Sequence, residues 1–401
     1  MNIMTTPSHR IGEALVRVVD KNGNPVADKE LVLNQRSHQF LFGSGAFDFV
    51  DWTGKGLDKD RTAMWLALLN YGTLPFYWGE YERKEGETEF ESRMNAAKIL
   101  RANNVTLKGH PLCWHTVCAD WLMKYSDEVI MDKQLERINR DVTAFKGVID
   151  IWDVINEVVI MPEFDKYDNA VTRLCKKYGR VGLVKEVFAA AKAANPNGTF
   201  LINDFNTTQR YEELIEDLLD AGVEIDAIGI QSHQHQGYWG TEKLYDVLKR
   251  FSRFGLPIHF TENTLVSGSL IPEYIEDLND WQVTEWPTTI AGEERQCKQW
   301  EEMYRILFDD PNVKAVTGWD FADGAWLNAP SGLVTVDNRR KPAYDKLLSM
   351  IKGEWWTKDQ VIYTNSEGFV SVKGTKGTYE ISGAESVITL GDEPSNVTVI
   401  L

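Results

Sequence analysis

"IDIWDVINEVV", residues 149–159, carries the pattern from which the rest of the fold follows. From Ile149 to Ile155 the run lacks the alternation of a half-exposed strand and is rich in β-branched residues. That predicts a strand buried on both faces of a parallel sheet. It then runs straight into Asn156 and Glu157. A carboxylate at the end of a buried strand is either paired or at work.

Similar segments recur on both sides. "QFLFGSGAF" comes first, followed by "YGTLPFYW" (71–78), "TLKGHPLCW" (106–114), the 149–157 run and "GTFLINDFN" (198–206). "DAIGIQSH" (226–233), "PIHFTENT" (257–264) and "VKAVTGWDFAD" (313–323) complete the series, with helical stretches such as 91–102, 180–194 and 210–221 between its members. Eight strands alternating with helices predict an α/β fold, a closed (β/α)8 TIM barrel. The competing doubly wound sheet needs a Gly-rich phosphate turn after its first strand, and "FGSGAF" is not GxGxxG. The flanks read differently. "ALVRVVD" and "ELVLNQ" lie before the barrel, and short strands and turns follow "EWWTKD" (354–359). This tail is too short to fold alone. The expected organisation is an N-terminal β segment over 1–38, a (β/α)8 barrel over 39–353 and a C-terminal extension over 354–401. The two flanks are expected to form one small β-sandwich, in which Tyr363, Phe369 and Tyr379 fit a core.

Composition narrows the function. The 401 residues are 43% hydrophobic and 26% charged with a net charge of -17, and no basic face is signalled, so nucleic acid is not an expected partner. No apolar run approaches the ~20 residues of a membrane span, and the first residues lack the charged-then-apolar pattern of a leader. The chain as given is expected in the cytoplasm, or outside the cell with a leader removed, as a monomer. Cys113, Cys118, Cys175 and Cys297 form no CxxC pair, although Cys113 and Cys118 are close enough in sequence to meet. The 14 tryptophans are many for this length.

The active face of such a barrel is lined by polar residues at the C-terminal ends of its strands. Here those ends carry His110 and His115, Asn156 and Glu157, Asn203, Asp204 and Asn206, then Gln231, His233 and His235. Glu262 and Asn263, followed by Trp319, Asp320, Asp323 and Trp326, complete the set. Glu157 and Glu262 stand at equivalent positions on different strands, as two-carboxylate chemistry requires: one group protonates a leaving oxygen while the other attacks or activates water. Helix capping or ion pairing is the alternative use of such carboxylates. His115, His233 and His235 also admit a metal, yet hydrogen bonding around a carboxylate explains them more simply, and no metal or cofactor is expected.

The motifs resemble those of glycoside hydrolase family 10, the β-1,4-xylanase family. "WDVINE" is similar to the family's "WDVVNE", "GHPLCWH" to "GHTLVWH", "LINDFN" to "LYINDYN", "DAIGIQSH" to "DGIGIQSH" and "PIHFTE" to "PIHITELD". The strand-eight tryptophans also match, and the likeness runs from about residue 40 to 350. It implies a retaining β-glycoside hydrolase, an endo-1,4-β-xylanase cleaving xylan or xylo-oligosaccharides. Glu157 would then be the acid/base and Glu262 the nucleophile. Asn156 would hold the sugar 2-hydroxyl, His233 would orient Glu262 with Gln231 in the same network, and His115, Trp319 and Trp326 would line the subsite of bond cleavage.

The chain also departs from the family. Where family members read "ENEMKW" on the second strand, with Glu, Asn and Lys binding sugars on the non-reducing side, this chain reads "PFYWGE", placing Pro75, Phe76 and Gly79 there. Val117 replaces a Gln, and Thr264 replaces an Asp that supports the histidine. Phe76, Tyr77 and Trp78 exchange polar contacts for aromatic surface suited to stacking on a ring, with Trp78 the expected substrate contact, although strand alternation turns some of them to the wall. Activity on a non-xylan or apolar-aglycone β-glycoside is therefore a second expectation. A non-catalytic carbohydrate-binding barrel is a third.

Overall fold

The computed structural model describes residues 6–401; residues 1–5, which belong to the expected N-terminal segment, lie outside the described residues. Two strands come first, β1 (Ile11–Val19) and β2 (Glu30–His38). Then follow β3 (Leu41–Gly45), α1 (Lys59–Leu68), β4 (Tyr71–Pro75), α2 (Trp78–Tyr81), α3 (Phe90–Ala102), β5 (Thr106–His110), α4 (Asp127–Phe145), β6 (Ile151–Asn156) and α5 (Ala170–Ala194). The series ends with β7 (Thr199–Asp204), α6 (Gln209–Asp220), β8 (Ala227–Gln234), α7 (Gly240–Ser252), β9 (Ile258–Leu265), α8 (Ile290–Asp309), β10 (Val313–Gly318) and α9 (Pro342–Ser349). Strands β3 to β10 pair in chain order, all parallel, and β10 closes on β3. This is the eight-stranded TIM barrel expected from the sequence.

Both faces of each strand are buried, for different reasons. On β6, Trp152 and Val154 join the apolar layer under the helices, while Asp153 enters the barrel interior and pairs with Lys108 Nζ at 2.6 Å. On β5, Lys108 and His110 share that interior face, as strand alternation requires, and His110 Nδ1 lies 2.7 Å from the same Asp153 oxygen. The missing hydrophobic alternation at 149–155 thus records a packed polar interior opposite an apolar shell. The helices bury one stripe each. In α6 the buried Tyr211, Leu214, Ile215 and Leu218 follow the helical period, and Thr208 caps its N-terminus.

Two β-bulges aim the barrel at its active face. Between β6 and β7, Asp153 faces Leu201 but Ile155 faces Ile202; between β8 and β9, Ile230 faces Phe260 but Gln231 faces Glu262. Each extra residue flips the side-chain sequence that follows it. As a result Thr261 and Glu262, neighbours that alternation would separate, both reach the amide of Asn203.

Five short strands complete the chain: β11 (Gln360–Tyr363), β12 (Phe369–Thr375), β13 (Gly377–Ile381), β14 (Val387–Leu390) and β15 (Ser395–Ile400). β1 lies between β12 and β15, and β2 between β11 and β13, so each of two sheets is built around an N-terminal strand. They share a core that includes Val16, Leu33, Val372, Tyr379 and Ile388. Tyr379 takes its expected core place, but Tyr363 is 62% exposed and donates to Glu30 Oε2, and Phe369 is only half-buried. Tyr363 ends a four-residue edge strand whose alternation does not say which face is covered, and Phe369 lies on the face of β12 opposite the buried Val370 and Val372. Arg10 ties this unit to the barrel floor through the carbonyls of Phe308 and Val313. All four cysteines are free thiols. Among the described residues no helix is long and apolar enough to cross a membrane.

Candidate active site

Glu157 leaves β6 with φ +57°, a left-handed conformation that costs a non-glycine residue about 1–3 kcal/mol. Its amide donates to the carbonyl of Asn203, and its side chain enters the mouth of the barrel. There Oε2 accepts from Trp114 Nε1 at 2.9 Å, and Oε1 accepts from Asn156 Nδ2 and Gln231 Nε2, each at 3.2 Å. Glu262, on β9, is 3% exposed. Its Oε1 accepts from Asn203 Nδ2 at 2.8 Å and lies 3.8 Å from His110 Nε2, while Oε2 is 3.0 Å from His233 Nε2. His233 Nδ1 in turn lies 2.7 Å from Thr264 Oγ1.

The two carboxyls are pushed in opposite directions. Burial, reinforced by the charge of Glu262, raises Glu157 from its ordinary value to about 8, against the smaller opposing effect of the Trp114 hydrogen bond. Burial also acts to raise Glu262, but His110, His233 and Lys108 outweigh it and hold the group below the ordinary carboxylate value. At neutral pH one acid therefore keeps its proton and the other is ionised. A protonated carboxyl donates to a leaving oxygen while its ionised neighbour attacks or activates a nucleophile.

Most of the expected site residues meet here. Asn156, 1% exposed, accepts on Oδ1 from Asn203 and Gln231. Gln231 therefore supports Glu157 rather than the Glu262 side of the network. Trp319 packs edge-on against His110 and His233, and Trp326 lies 4.6 Å from the His233 ring. Two expectations are corrected. Trp78 does not face the mouth: it is 4% exposed, edge-on to Trp121, under the Arg137 guanidinium, and its Nε1 donates to Glu82. Alternation after Pro75 sends Phe76 into the helix layer against Phe145 and Trp152, and the start of α2 then turns Trp78 away. His115 is 1% exposed, packed on Phe164 and bonded to neither glutamate; burial lowers it to about 4. It backs the site rather than lining it. His235 is also buried, between Trp326 and Trp286, and no metal-holding cluster of His, Cys, Asp or Glu occurs among the described residues.

Three residues of the site had no role assigned from the sequence. Trp114 holds Glu157, and Asn203 connects the two carboxyl systems. Trp114 sits inside the "GHPLCWH" motif and Asn203 at a strand end, so strand-end polarity was the available signal for Asn203. Tyr77, next to Trp78, is the aromatic that turns inward, edge-on to His110 at 5.7 Å and tilted on Trp114 at 5.6 Å.

A parallel eight-stranded barrel with two strand-end carboxyls, one protonated and one ionised beneath tryptophans, defines a glycoside hydrolase by its chemistry. Comparison with known proteins agrees: the sequence model of glycosyl hydrolase family 10 matches residues 76–350, and the chain belongs to that family. The chain is 27% identical over 322 residues to an endo-1,4-beta-xylanase/feruloyl esterase of Xylanibacter ruminicola, covering 71% of this chain and 42% of that protein. It is 28% identical over 256 residues to endo-1,4-beta-xylanase A of Xylanibacter ruminicola, covering 58% of this chain and 67% of that protein. It thus spans less than half the length of the first of these relatives. A family 10 structure from Paenibacillus barcinonensis superposes with a TM-score of 0.65 over 78% of this chain and 96% of its own length at 22% identity, a likeness of fold.

Proposed function

We propose that the chain is a retaining β-glycoside hydrolase, an endo-1,4-β-xylanase that cleaves xylan or xylo-oligosaccharides by double displacement. Glu157 gives its proton to the leaving oxygen, Glu262 attacks the anomeric carbon, and Glu157 then takes a proton from the water that releases the sugar. Asn156, Gln231, His233, Trp319 and Trp326 bind the sugar or hold the two glutamates. The observation that carries this proposal is the opposed protonation of Glu157 and Glu262 at neutral pH. The two relatives named above are called xylanases, which supports the choice of xylan.

A second substrate class has its own observation. Pro75 and Phe76 are buried, and at Gly79 a Cβ would come within 2.8 Å of the Cys118 carbonyl oxygen. The three polar side chains of the family's second strand have no counterpart in this wall, which favours a shorter or apolar β-glycoside. The deciding experiment is product analysis on unbranched xylan, arabinoxylan, β-glucan and aryl β-xylosides, with Glu262→Ala alongside. Xylo-oligosaccharides released by the native chain and not by the variant support the xylanase. Cleavage confined to aryl or other β-glycosides moves the substrate and keeps the chemistry. Retained activity in Glu262→Ala would overturn the mechanism.

A further inference from the structure

The second barrel strand delivers one polar side-chain group to the catalytic mouth. Beyond Pro75, Phe76 is turned into the helix layer and Trp78 into the α2–α4 interface. Gly79 donates its amide to the carbonyl of Val117 at 2.8 Å, so the loops after β4 and β5 close directly on each other. Trp121 Nε1 makes a second link, to the carbonyl of Glu82 at 2.8 Å. Only Tyr77 between them faces the carboxylates.

Its position relates it to both acids. The Tyr77 ring meets His110, which stands 3.8 Å from Glu262 Oε1, and Trp114, which donates to Glu157 Oε2. Phe47 lies edge-on behind it at 6.3 Å, and Trp319 packs on Phe47 and His110. The ring is thereby fixed on three sides. Its hydroxyl has no hydrogen-bond partner among the described residues, and burial together with the charges of Glu262, Glu80 and Glu157 keeps it protonated far above its ordinary range. A protonated, half-buried hydroxyl without a protein partner is a donor waiting for a ligand acceptor.

We propose that Tyr77 is a substrate-binding residue: its hydroxyl donates a hydrogen bond to the sugar ring held over Glu262, replacing the polar contacts absent from the second strand. This rests on the hydrolase function proposed above. Glu262 attacks the anomeric carbon, so the sugar over it is the one whose bond breaks, and the contact acts on every substrate regardless of chain length. The ring stays with Trp114 as the wall of that subsite, and the hydroxyl supplies orientation.

The test is Tyr77→Phe, which keeps the ring and removes one oxygen. kcat/KM is expected to fall roughly ten- to hundredfold, through kcat more than KM, on the best aryl β-glycoside and the best oligosaccharide of the native chain. The two losses should agree within about threefold, with an unchanged melting temperature and an unmoved pH profile. Rates within about twofold of native on both substrates would overturn the proposal, as would a shifted pH profile with an unchanged plateau, which assigns Tyr77 to tuning the carboxyls. A loss confined to oligosaccharides would overturn it too, by moving the contact to a more distant sugar. A native chain inactive on every β-glycoside would overturn the underlying hydrolase assignment, and the Tyr77 contact with it.

Discussion

The side-chain nitrogen of Asn203 stands 2.8 Å from Oε1 of Glu262 and donates to it. The same nitrogen donates to Asn156 Oδ1, and Thr261 Oγ1 donates to the Asn203 oxygen at 2.6 Å, which fixes the orientation of the amide. Asn203 is fully buried. Asn203→Ala would strip Glu262 of one donor and leave the Thr261 hydroxyl without its acceptor. A hydrogen bond to a charged group is worth about 1.5–3 kcal/mol, so kcat/KM should fall roughly ten- to hundredfold. Steady-state kinetics with a thermal melt check it; a variant that melts lower but turns over normally would make Asn203 purely structural.

The opposed carboxyls set the pH dependence. Rate requires Glu262 ionised and Glu157 protonated, so kcat/KM should be bell-shaped, with its acid limb below the ordinary carboxylate value and its basic limb near 8. The Trp114 indole N–H stabilises the ionised form of Glu157. Trp114→Phe should therefore move the basic limb to higher pH and leave the acid limb in place. A basic limb that stays put would mean that another group sets it.

The same burial has a cost in stability, and its sign follows from linkage. The carboxyl of Glu157 rises from about 4.3 in an unfolded chain to about 8 in the fold. Between those values the folded chain holds a proton that the unfolded chain has released, so stability falls as pH rises through this window. Asp204 and Asp320, both raised to about 7 by burial, act in the same direction. Glu157→Gln removes the largest of these contributions. Its melting temperature should exceed that of the native chain near pH ~8 and match it near pH ~4, where both forms are neutral. Equal melting temperatures at both pH values would show that Glu157 is not held protonated by burial.

The barrel was legible because its cause is local. Eight buried runs separated by amphipathic helices leave few ways to arrange the chain, and polar residues at their ends mark one face. Glu157, Glu262, Asn156 and His233 were visible for that reason. Trp78 and Tyr77 were not separable, because which of two adjacent aromatics faces the mouth depends on where β4 stops and α2 begins. The bulges at Val154 and Thr261 were equally hidden: each is a mismatch between two strands distant in sequence, and each decides which way a glutamate points. Asn203 showed as a strand-end polar residue, but its link between two carboxyls exists only once three strands are closed.

Thr264 is the departure from the family whose consequence is most direct. His233 lies between Thr264 Oγ1 on Nδ1 and Glu262 Oε2 on Nε2. A hydroxyl donates or accepts, whereas a carboxylate only accepts. With Thr264, the hydroxyl can donate to a bare Nδ1 or accept from an Nδ1–H while Nε2–H points at Glu262, so no protonation state of the ring is imposed. An Asp at this place would demand a proton on Nδ1 as well, giving an imidazolium against the nucleophile. Thr264→Asp should therefore add positive charge beside Glu262 and move the acid limb of kcat/KM to lower pH, since the nucleophile then stays ionised further into acid. Thr264→Val keeps the shape, leaves Nδ1 without a partner and should lower kcat/KM roughly fivefold or more. An unmoved acid limb in the first variant together with a native rate in the second would detach His233 from the control of Glu262.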